Sequence, residues 1–412
     1  MESGQESKVC GVKGMCWPMM LPRFDIVNGL GLDYMHNTLL GVVKMLMKLW
    51  FLKNYKKCPW YVGNQIKQID QELKSLKLPN LISRVPRSIE KDFGQWKASE
   101  FRSFFLMYSI PLAKSFLPAE YFDHYVLLVQ AVAILLKEVI SQGDLEESTY
   151  LLKKFCLQIE RLYGERYYTY NVHNLLHLTN AVENLGPLWC QSAFWYEDYN
   201  SDFKYLFHGT QSVSMQIVTN TIIQHKIPEI ARSLLPGCTG FTLYSKMTLN
   251  YHQLAKNSGD KISHNVFTVG KFSTTSLPSK DKALVDHCLH SFQEIKVFKR
   301  ICLNGNIIQS KEYTRVTKRN SYTVNYNGRY GNCYGFVKYF IRAQHGNAFG
   351  YYAILELLNI CSRIKNTTHI LSVSKDITLD ICKIDDVIGL CTYISCKSGN
   401  YIAIFPNKIE ND

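Results

Sequence analysis

Residues 34–51 read YMHNTLLGVVKMLMKLWF, and this stretch decides the character of the first half of the chain. Leu39, Val43, Leu46 and Trp50 recur at intervals of three or four residues, which is the spacing of one apolar helix face. The stretch therefore predicts a helix that begins near Tyr34.

Apolar residues keep a helical spacing through most of the next 190 positions, interrupted by proline and glycine as at Gly186 and Pro187. The pattern predicts helices over residues 61–77, 98–109, 118–141, 144–163, 170–184, 194–207 and 213–225. The first 236 residues are thus expected to be mainly helical.

The pattern changes after residue 236. Residues 237–295 have weak periodicity and are expected to be loops with a few short elements. From residue 296 onward, short runs rich in aromatic and β-branched residues, such as CYGFVKYFIRA at 333–343, alternate with Asn-Gly and Ser-Gly-Asn turn signals. These short runs predict a small antiparallel β-barrel or sandwich from residue 296 onward. The fold class expected for the whole chain is a multidomain α+β protein.

Charge is concentrated in the second half of the chain. The 412 residues include 47 Lys and Arg against 34 Asp and Glu, a net charge of +13. Residues 201–412 hold 25 of the basic and 14 of the acidic residues, which is +11. Such an excess favours a polyanionic partner, of which DNA is a common example, although a basic soluble protein without such a partner has the same composition.

The cysteine pattern and the hydropathy of the sequence indicate the cellular compartment of the protein. The 13 cysteines form no CxxC pair, which favours reduced thiols in a cytosolic or nuclear protein and gives no support for a cysteine-based zinc site. The best apolar run, residues 127–136, contains Gln130, so no membrane span is expected. The first 30 residues lack the pattern of a secretory signal.

Two acid and histidine groupings are candidate sites. Asp33 and His36 are three apart at a helix start, where a structural role such as capping is favoured over catalysis. His173 and His177 are four apart on one helix face, a spacing that fits two zinc ligands. Their leucine-rich surroundings favour buried, hydrogen-bonded histidines instead.

Glu197 lies in an aromatic stretch beside Asp198. The residues alone favour a solvent-facing acid, with a metal ligand as the alternative.

A basic run with interleaved aromatic side chains is the candidate DNA-binding segment. Cations grip phosphates, and aromatic rings either stack on bases or pack the sheet below; a solvated basic hairpin fits equally well. The candidate DNA-binding cations are Lys296, Lys299, Arg300, Lys311, Arg315, Lys318, Arg319 and Arg329.

Three blocks of the chain resemble one family. GLDYMHNTLLGVVKMLMKLWF (31–51), RVPRSIEKDFGQWKASEFRSFFLMYSIPL (84–112) and HNLLHLTNAVENLGPLWCQSAFWYEDYNSDFKYLFHGT (173–210) resemble the CACTA (En/Spm-like) DNA transposases of animal genomes. The resemblance covers about residues 10–230, and the β-rich remainder resembles the module that often follows in these elements.

The resemblance implies an RNase H-like catalytic core, whose acids Asp, Asp and Glu bind two Mg²⁺ or Mn²⁺ ions. Asp33 and His36 match the family's Cys/Asp-x-x-His motif, and Glu197 corresponds to the final catalytic Glu and metal ligand, with Asp198 as its rival. An insertion begins and ends at the same edge of the core that it interrupts, so we expect Asp33 and Glu197 to lie within about 10 Å of each other.

The implied division of the chain has five parts. They are a remnant of the RNase H-like core at 1–36, a helical insertion at 37–190, the catalytic-Glu helix region at 191–236, an irregular linker at 237–295 and a β-rich basic domain at 296–412.

One departure from the family limits the expected activity. The family's first two aspartates lie well upstream of the Asp33 motif, where this chain offers only Asp25. Two-metal hydrolysis needs all the acids, so we expect a truncated transposase that is inactive alone and holds no functional metal.

The favoured interpretation is a nuclear, transposase-derived DNA-binding protein with no membrane or small-molecule partner. The first alternative is a non-enzymatic interaction module whose helical region forms a homo-oligomer and whose β domain binds protein. The second is an unrelated metal-dependent enzyme built on Asp33, His36, His173 and His177.

Overall fold

The computed structural model describes residues 17–235, 237–248, 259–274, 276–289, 292–329, 331–365 and 367–410. Helices occupy the first half of the chain and antiparallel sheets dominate the second, which confirms the predicted α+β class. Residues 1–16 of the expected core remnant lie outside the described residues. The described remainder of that segment holds a 3₁₀-helix, Trp17–Met20, and no strand.

The stretch that begins at residue 34 folds as expected, with one difference. A π-helical segment, Met35–Val43, leads directly into helix α1. The helices are α1 Lys44–Phe51, α2 Ile66–Ser75, α3 Ile89–Asp92, α4 Ala98–Ser103, α5 Ser109–Ala113, α6 Ala119–Leu135, α7 Gln142–Tyr163, α8 Tyr170–Asn174, α9 Leu178–Leu185, α10 Phe194–Asp202, α11 Val213–Ser233, α12 Thr239–Thr248 and α13 Ser279–Cys288. A second π-helical segment, Phe104–Tyr108, joins α4 to α5.

Short 3₁₀-helices punctuate this succession. They are Lys53–Tyr55, Gly63–Gln65, Phe93–Gln95, Glu165–Tyr167, Leu175–His177, Leu188–Gln191, Phe203–Tyr205 and Ile384–Asp386.

The α6–α7 pair forms the centre of the helical part. Helix α6 is buried on nearly all sides, as an apolar helix without a polar face must be. Helix α7 begins at a capping box, in which the Ser141 hydroxyl accepts the amide hydrogen of Asp144 and the Asp144 carboxylate accepts that of Ser141. The helix ends at Gly164, whose φ of +102° favours glycine.

The β region consists of two antiparallel sheets. The strands are β1 Lys261–Ser263, β2 Val266–Val269, β3 Ile295–Phe298, β4 Arg300–Leu303, β5 Asn306–Gln309, β6 Thr323–Gly328, β7 Gly331–His345, β8 Ala348–Arg363, β9 Ile370–Lys383, β10 Val387–Leu390, β11 Thr392–Cys396 and β12 Gly399–Ala403.

The smaller sheet has the order β1-β2-β4-β5, and the larger has the order β10-β6-β7-β8-β9-β12-β11 with β3 also paired to β7. The sheets share a core that includes Ile301 of β4 and Phe340 of β7. Neither sheet closes on itself, so the predicted barrel is excluded and the β region is two open, packed sheets.

One hydrophobic core extends from the helices into the larger sheet. It includes Trp50 and Tyr125 of the helical part together with Ile370, Ile394 and Tyr401 of the β region. The carboxyl-terminal strands are therefore packed directly on the helices. Within the described part of the chain, no helix combines the length and the apolar character that a bilayer crossing requires.

Candidate functional site

Asp33 joins the beginning of the segment that holds α1 to α9 to the end of that segment. Its Oδ1 atom accepts hydrogen bonds from the amides of Met35, at 3.1 Å, and Ala193, at 2.9 Å. Its Oδ2 atom accepts the amide hydrogen of His36 at 3.1 Å. An Asp side chain in this position satisfies amides that the first turn of a helix leaves without partners.

His36 lies between two carboxylates. Its Nδ1 atom is 2.5 Å from Oδ2 of Asp33, and its Nε2 atom is 3.5 Å from Oε1 of Glu197. Because an ionised carboxylate only accepts, Nδ1–H donates to Asp33, and this bond orients the imidazole. The expected proximity of Asp33 and Glu197 is confirmed, since both contact one ring; their catalytic roles stay predictions.

The two contacts of His36 differ in strength. The side chains of His36 and Glu197 are 58% and 59% exposed, and 3.5 Å is long for a hydrogen bond, so their interaction is a weak surface contact. Asp33 is 24% exposed and its contact is short. The Asp33–His36 pair is therefore the fixed part of the site, and Glu197 is its solvent-facing part.

The geometry does not fit the Mg²⁺ or Mn²⁺ pair that the resemblance implies. The carboxylates of Asp33 and Glu197 contact opposite nitrogens of one imidazole, whereas a two-metal centre needs carboxylates that converge on shared ions. Both Asp33 oxygens already accept N–H donors. In the described part of the chain, no three His, Cys, Asp or Glu side chains are arranged to hold a metal ion. The assignment of Glu197 as a metal ligand remains a prediction without geometric support.

A buried polar network lies directly beside this site. The Tyr34 hydroxyl donates to Oε1 of Glu410 at 2.6 Å, and Arg102 lies 3.6 Å from the same carboxylate. Burial, followed by the Glu410 charge, raises the pKa of Tyr34 well above its ordinary value. The Arg102 guanidinium also covers the ring of Phe194, the first residue of α10. The end of the chain thereby supports both the Asp33 turn and the Glu197 helix.

The π-helical segment contains residues that sequence analysis did not single out. Asn37 is 8% exposed, and neither polar atom of its side chain has a partner among the described residues. Gly41 packs so closely on Asn171 that an added Cβ would lie 2.6 Å from Nδ2. Because π-helical turns are frequent at functional sites, Asn37 is a further candidate site residue. The spacing of apolar residues carries no signal for it.

His173 and His177 are exposed, so the prediction that they are buried is wrong. Their Nε2 atoms lie 3.3 Å apart, and their rings meet edge to face. The structure thus brings this pair together at the surface.

Five of the eight candidate DNA-binding cations have partners within the protein. Lys296 pairs with Glu294 and Lys311 with Glu356, Lys299 donates to the Glu312 carbonyl, and Arg300 covers the Tyr313 ring. Arg319 donates to the carbonyl oxygens of Pro79, Ile82 and Ser83 in the helical part. These bonds give its guanidinium a structural role, and its role in DNA binding stays a prediction.

Three of the candidate cations remain exposed and without a partner among the described residues. They are Arg315 and Lys318, in the loop between β5 and β6, and Arg329, in the turn after β6. Two of the aromatic residues that are interleaved with the candidate cations belong to the core. Phe298 and Tyr326 are fully buried, so they pack the core and do not stack on bases.

Comparisons with protein-family models, with curated proteins and with solved structures return no match for this chain.

Proposed function

We propose that this chain is a nuclear, transposase-derived DNA-binding protein without strand-cleaving activity. The observation that carries the proposal is the set of exposed, unpartnered cations, Arg315, Lys318 and Arg329, in a half of the chain with a net charge of +11. Cations that are not neutralised by the protein's own carboxylates are free to displace counterions from phosphates.

The order of these cations along the chain is compatible with one duplex. Arg315 and Lys318 precede β6 and Arg329 follows it, and a strand of six residues is ~20 Å long. About six base pairs cover the same distance at ~3.4 Å each. No base-reading element is needed for such contacts, which supports binding with little sequence preference.

The juxtaposition of Asp33, His36 and Glu197 supports the transposase origin. These residues belong to two separate blocks of the resemblance, and an insertion that leaves and rejoins one core would bring those blocks together. The described residues hold no set of converging carboxylates, which supports the loss of cleavage.

The salt dependence of binding tests the DNA proposal. Fluorescence anisotropy with a labelled duplex should give an affinity that falls with salt, with a log–log slope of about −0.9 per phosphate contact. The variant Arg315→Gln, Lys318→Gln, Arg329→Gln removes three contacts and should flatten the slope by about 2.7. A slope of that size corresponds to a roughly 40-fold drop in affinity between about 50 and 200 mM salt.

A matched control distinguishes binding through these three cations, the proposed footprint, from a general effect of the positive charge of the protein. The variant Lys53→Gln, Lys56→Gln, Lys57→Gln removes the same charge from exposed positions of the helical part. It should leave the slope close to that of the unmodified chain. Equal slopes for both triple variants would reject the proposed footprint, and no binding at low salt would reject DNA binding itself.

One observation favours a second candidate function, self-association. Helix α11 buries only Ala231, and its exposed apolar side chains follow a helical spacing: Met215, Val218, Ile222, Ile223, Ile227 and Ile230. Contiguous exposed apolar surface marks interaction sites, and a second copy of this chain offers the same stripe in return. Sedimentation velocity should then show a concentration-dependent dimer that Ile222→Lys abolishes and Val139→Lys, at an isolated exposed position, does not.

A further inference from the structure

The exposed pair His173 and His177 has a geometry that neither the DNA-binding proposal nor the Asp33 site uses. His173 lies in α8, and His177 ends the 3₁₀-helix Leu175–His177 just before α9. Val172, Leu175 and Leu178 are fully buried on the other side of the same segment. The buried side chains hold the backbone, so the two imidazoles project from a fixed base into solvent.

The separation of the two nitrogens matches that of two ligands on one ion. Tetrahedral zinc holds imidazole nitrogens at about 2.0–2.1 Å, which places two such nitrogens about 3.4 Å apart. The observed distance between Nε2 of His173 and Nε2 of His177 is 3.3 Å. A hydrogen bond between the two rings at the same distance would be a long one.

We propose that His173 and His177 form a two-imidazole chelate for a divalent transition-metal ion of the Zn²⁺ class. Imidazole suits Zn²⁺, Ni²⁺ and Cu²⁺, whereas Mg²⁺ and Ca²⁺ prefer oxygen ligands. The described residues supply no third His, Cys, Asp or Glu ligand, so water completes the coordination. This site is separate from the proposed function and does not depend on it.

Metal bound here would tie α8 to the last residue of the 3₁₀-helix Leu175–His177, just before α9 begins. Asn171, in α8, packs against Gly41 of the π-helical segment that follows His36. The ion would therefore stabilise a segment that packs against this π-helical segment. A ligand that binds the folded state alone raises its stability by mass action, so the unfolding midpoint should rise with metal concentration.

Titration calorimetry with Zn²⁺, on the full chain without an affinity tag, tests the site. The unmodified chain should bind one ion that either His173→Asn or His177→Asn loses, and each variant should also lose retention on immobilised Ni²⁺. The thiols are identical in all of these proteins, so the difference between them reports on the imidazoles. Asn has a helix propensity close to that of His, which keeps the fold, and circular dichroism checks this.

The matched control is the variant His208→Asn, His225→Asn, which removes two exposed histidines that lie outside the pair. It should bind Zn²⁺ and Ni²⁺ as the unmodified chain does. In the unmodified chain the affinity should rise from Zn²⁺ to Cu²⁺, as nitrogen ligands require. Folded single variants that bind Zn²⁺ like the unmodified chain would overturn the proposal, as would an unmodified chain that binds none.

Discussion

Oδ1 of Asp33 accepts the amide hydrogen of Ala193 at 2.9 Å, across 160 positions of the chain. The residues between them hold α1 to α9, so this bond joins the beginning of that segment to its end. The same carboxylate holds His36, which reaches Glu197 on α10. One side chain thus controls both the junction and the geometry of the candidate site.

Replacement of Asp33 with Ala should loosen this junction. The change leaves the Ala193 amide without an acceptor and His36 without its orienting partner, which should lower the free energy of unfolding by about 1–3 kcal/mol. Urea denaturation measures the loss, and hydrogen exchange should show faster exchange at the Ala193 amide.

Asp25→Ala is the control for that prediction, because the Asp25 side chain accepts its hydrogen bonds among the described residues from nearby Val27 and Asn28. It should leave exchange at Ala193 unchanged. Unchanged exchange in Asp33→Ala as well would mean that the Asp33–Ala193 bond does not hold the junction.

Arg319 should contribute to stability, whereas Arg315 should not. Arg319 donates to three carbonyl oxygens of the helical part, and hydrogen bonds from a charged donor contribute about 1.5–3 kcal/mol. Arg319→Ala should therefore lower the urea midpoint clearly. Arg319→Lys should restore little of the loss, because an ammonium cannot span the three acceptors as a guanidinium does.

The exposed Arg315 provides the comparison, and Arg315→Ala should leave the urea midpoint close to that of the unmodified chain. Equal midpoints for Arg315→Ala and Arg319→Ala would contradict the structural role of Arg319.

Much of the helical half could be predicted because its signal is local. Leu39, Val43, Leu46 and Trp50 share one face and are all buried, as their spacing indicates. The π-helical hydrogen bonding of Met35–Val43 has no such signal, because the spacing of apolar residues there is that of an ordinary helix.

One wrong prediction and one contact that was not predicted show where local patterns stop being informative. The leucines around His173 and His177 suggested burial, but the leucines and histidines occupy opposite faces of the segment. Arg319 belonged to a basic run, yet its acceptors are backbone carbonyls about 240 positions earlier in the chain. Backbone acceptors have no sequence signature, so only the tertiary fold reveals this role.

We expect the purified chain to show no DNA cleavage or strand transfer with Mg²⁺ or Mn²⁺. Asp33 and Glu197 do not converge on a common point, so they cannot clamp an ion that activates water and stabilises the leaving oxygen. A plasmid-nicking assay should give equal backgrounds for the unmodified chain and Glu197→Gln. Nicking that depends on metal and disappears in Glu197→Gln would refute this prediction.

Acid should destabilise the protein through two buried histidines. His124 is 1% exposed and stacks on Phe155, while His369 is 5% exposed and contacts the Leu106 carbonyl. Burial lowers the pKa of each imidazole from 6.5 to about 4, against a smaller opposing effect of its backbone hydrogen bond. Both histidines are therefore neutral in the folded protein at pH 5, whereas unfolded histidines are charged there.

The sign of the effect follows from proton uptake. Above pH ~6.5 the histidines are neutral in both the folded and the unfolded state. Between pH ~6.5 and ~4 only the unfolded state binds the protons. The free energy of unfolding therefore decreases as the pH is lowered through this window, by up to about 3 kcal/mol per histidine. Urea unfolding of the double variant His124→Gln, His369→Gln should therefore show a weaker loss of stability from pH 7 to pH ~5 than the unmodified chain. The exposed His225→Gln variant should keep the full loss, and a double variant that also keeps it would show that these two histidines do not govern acid stability.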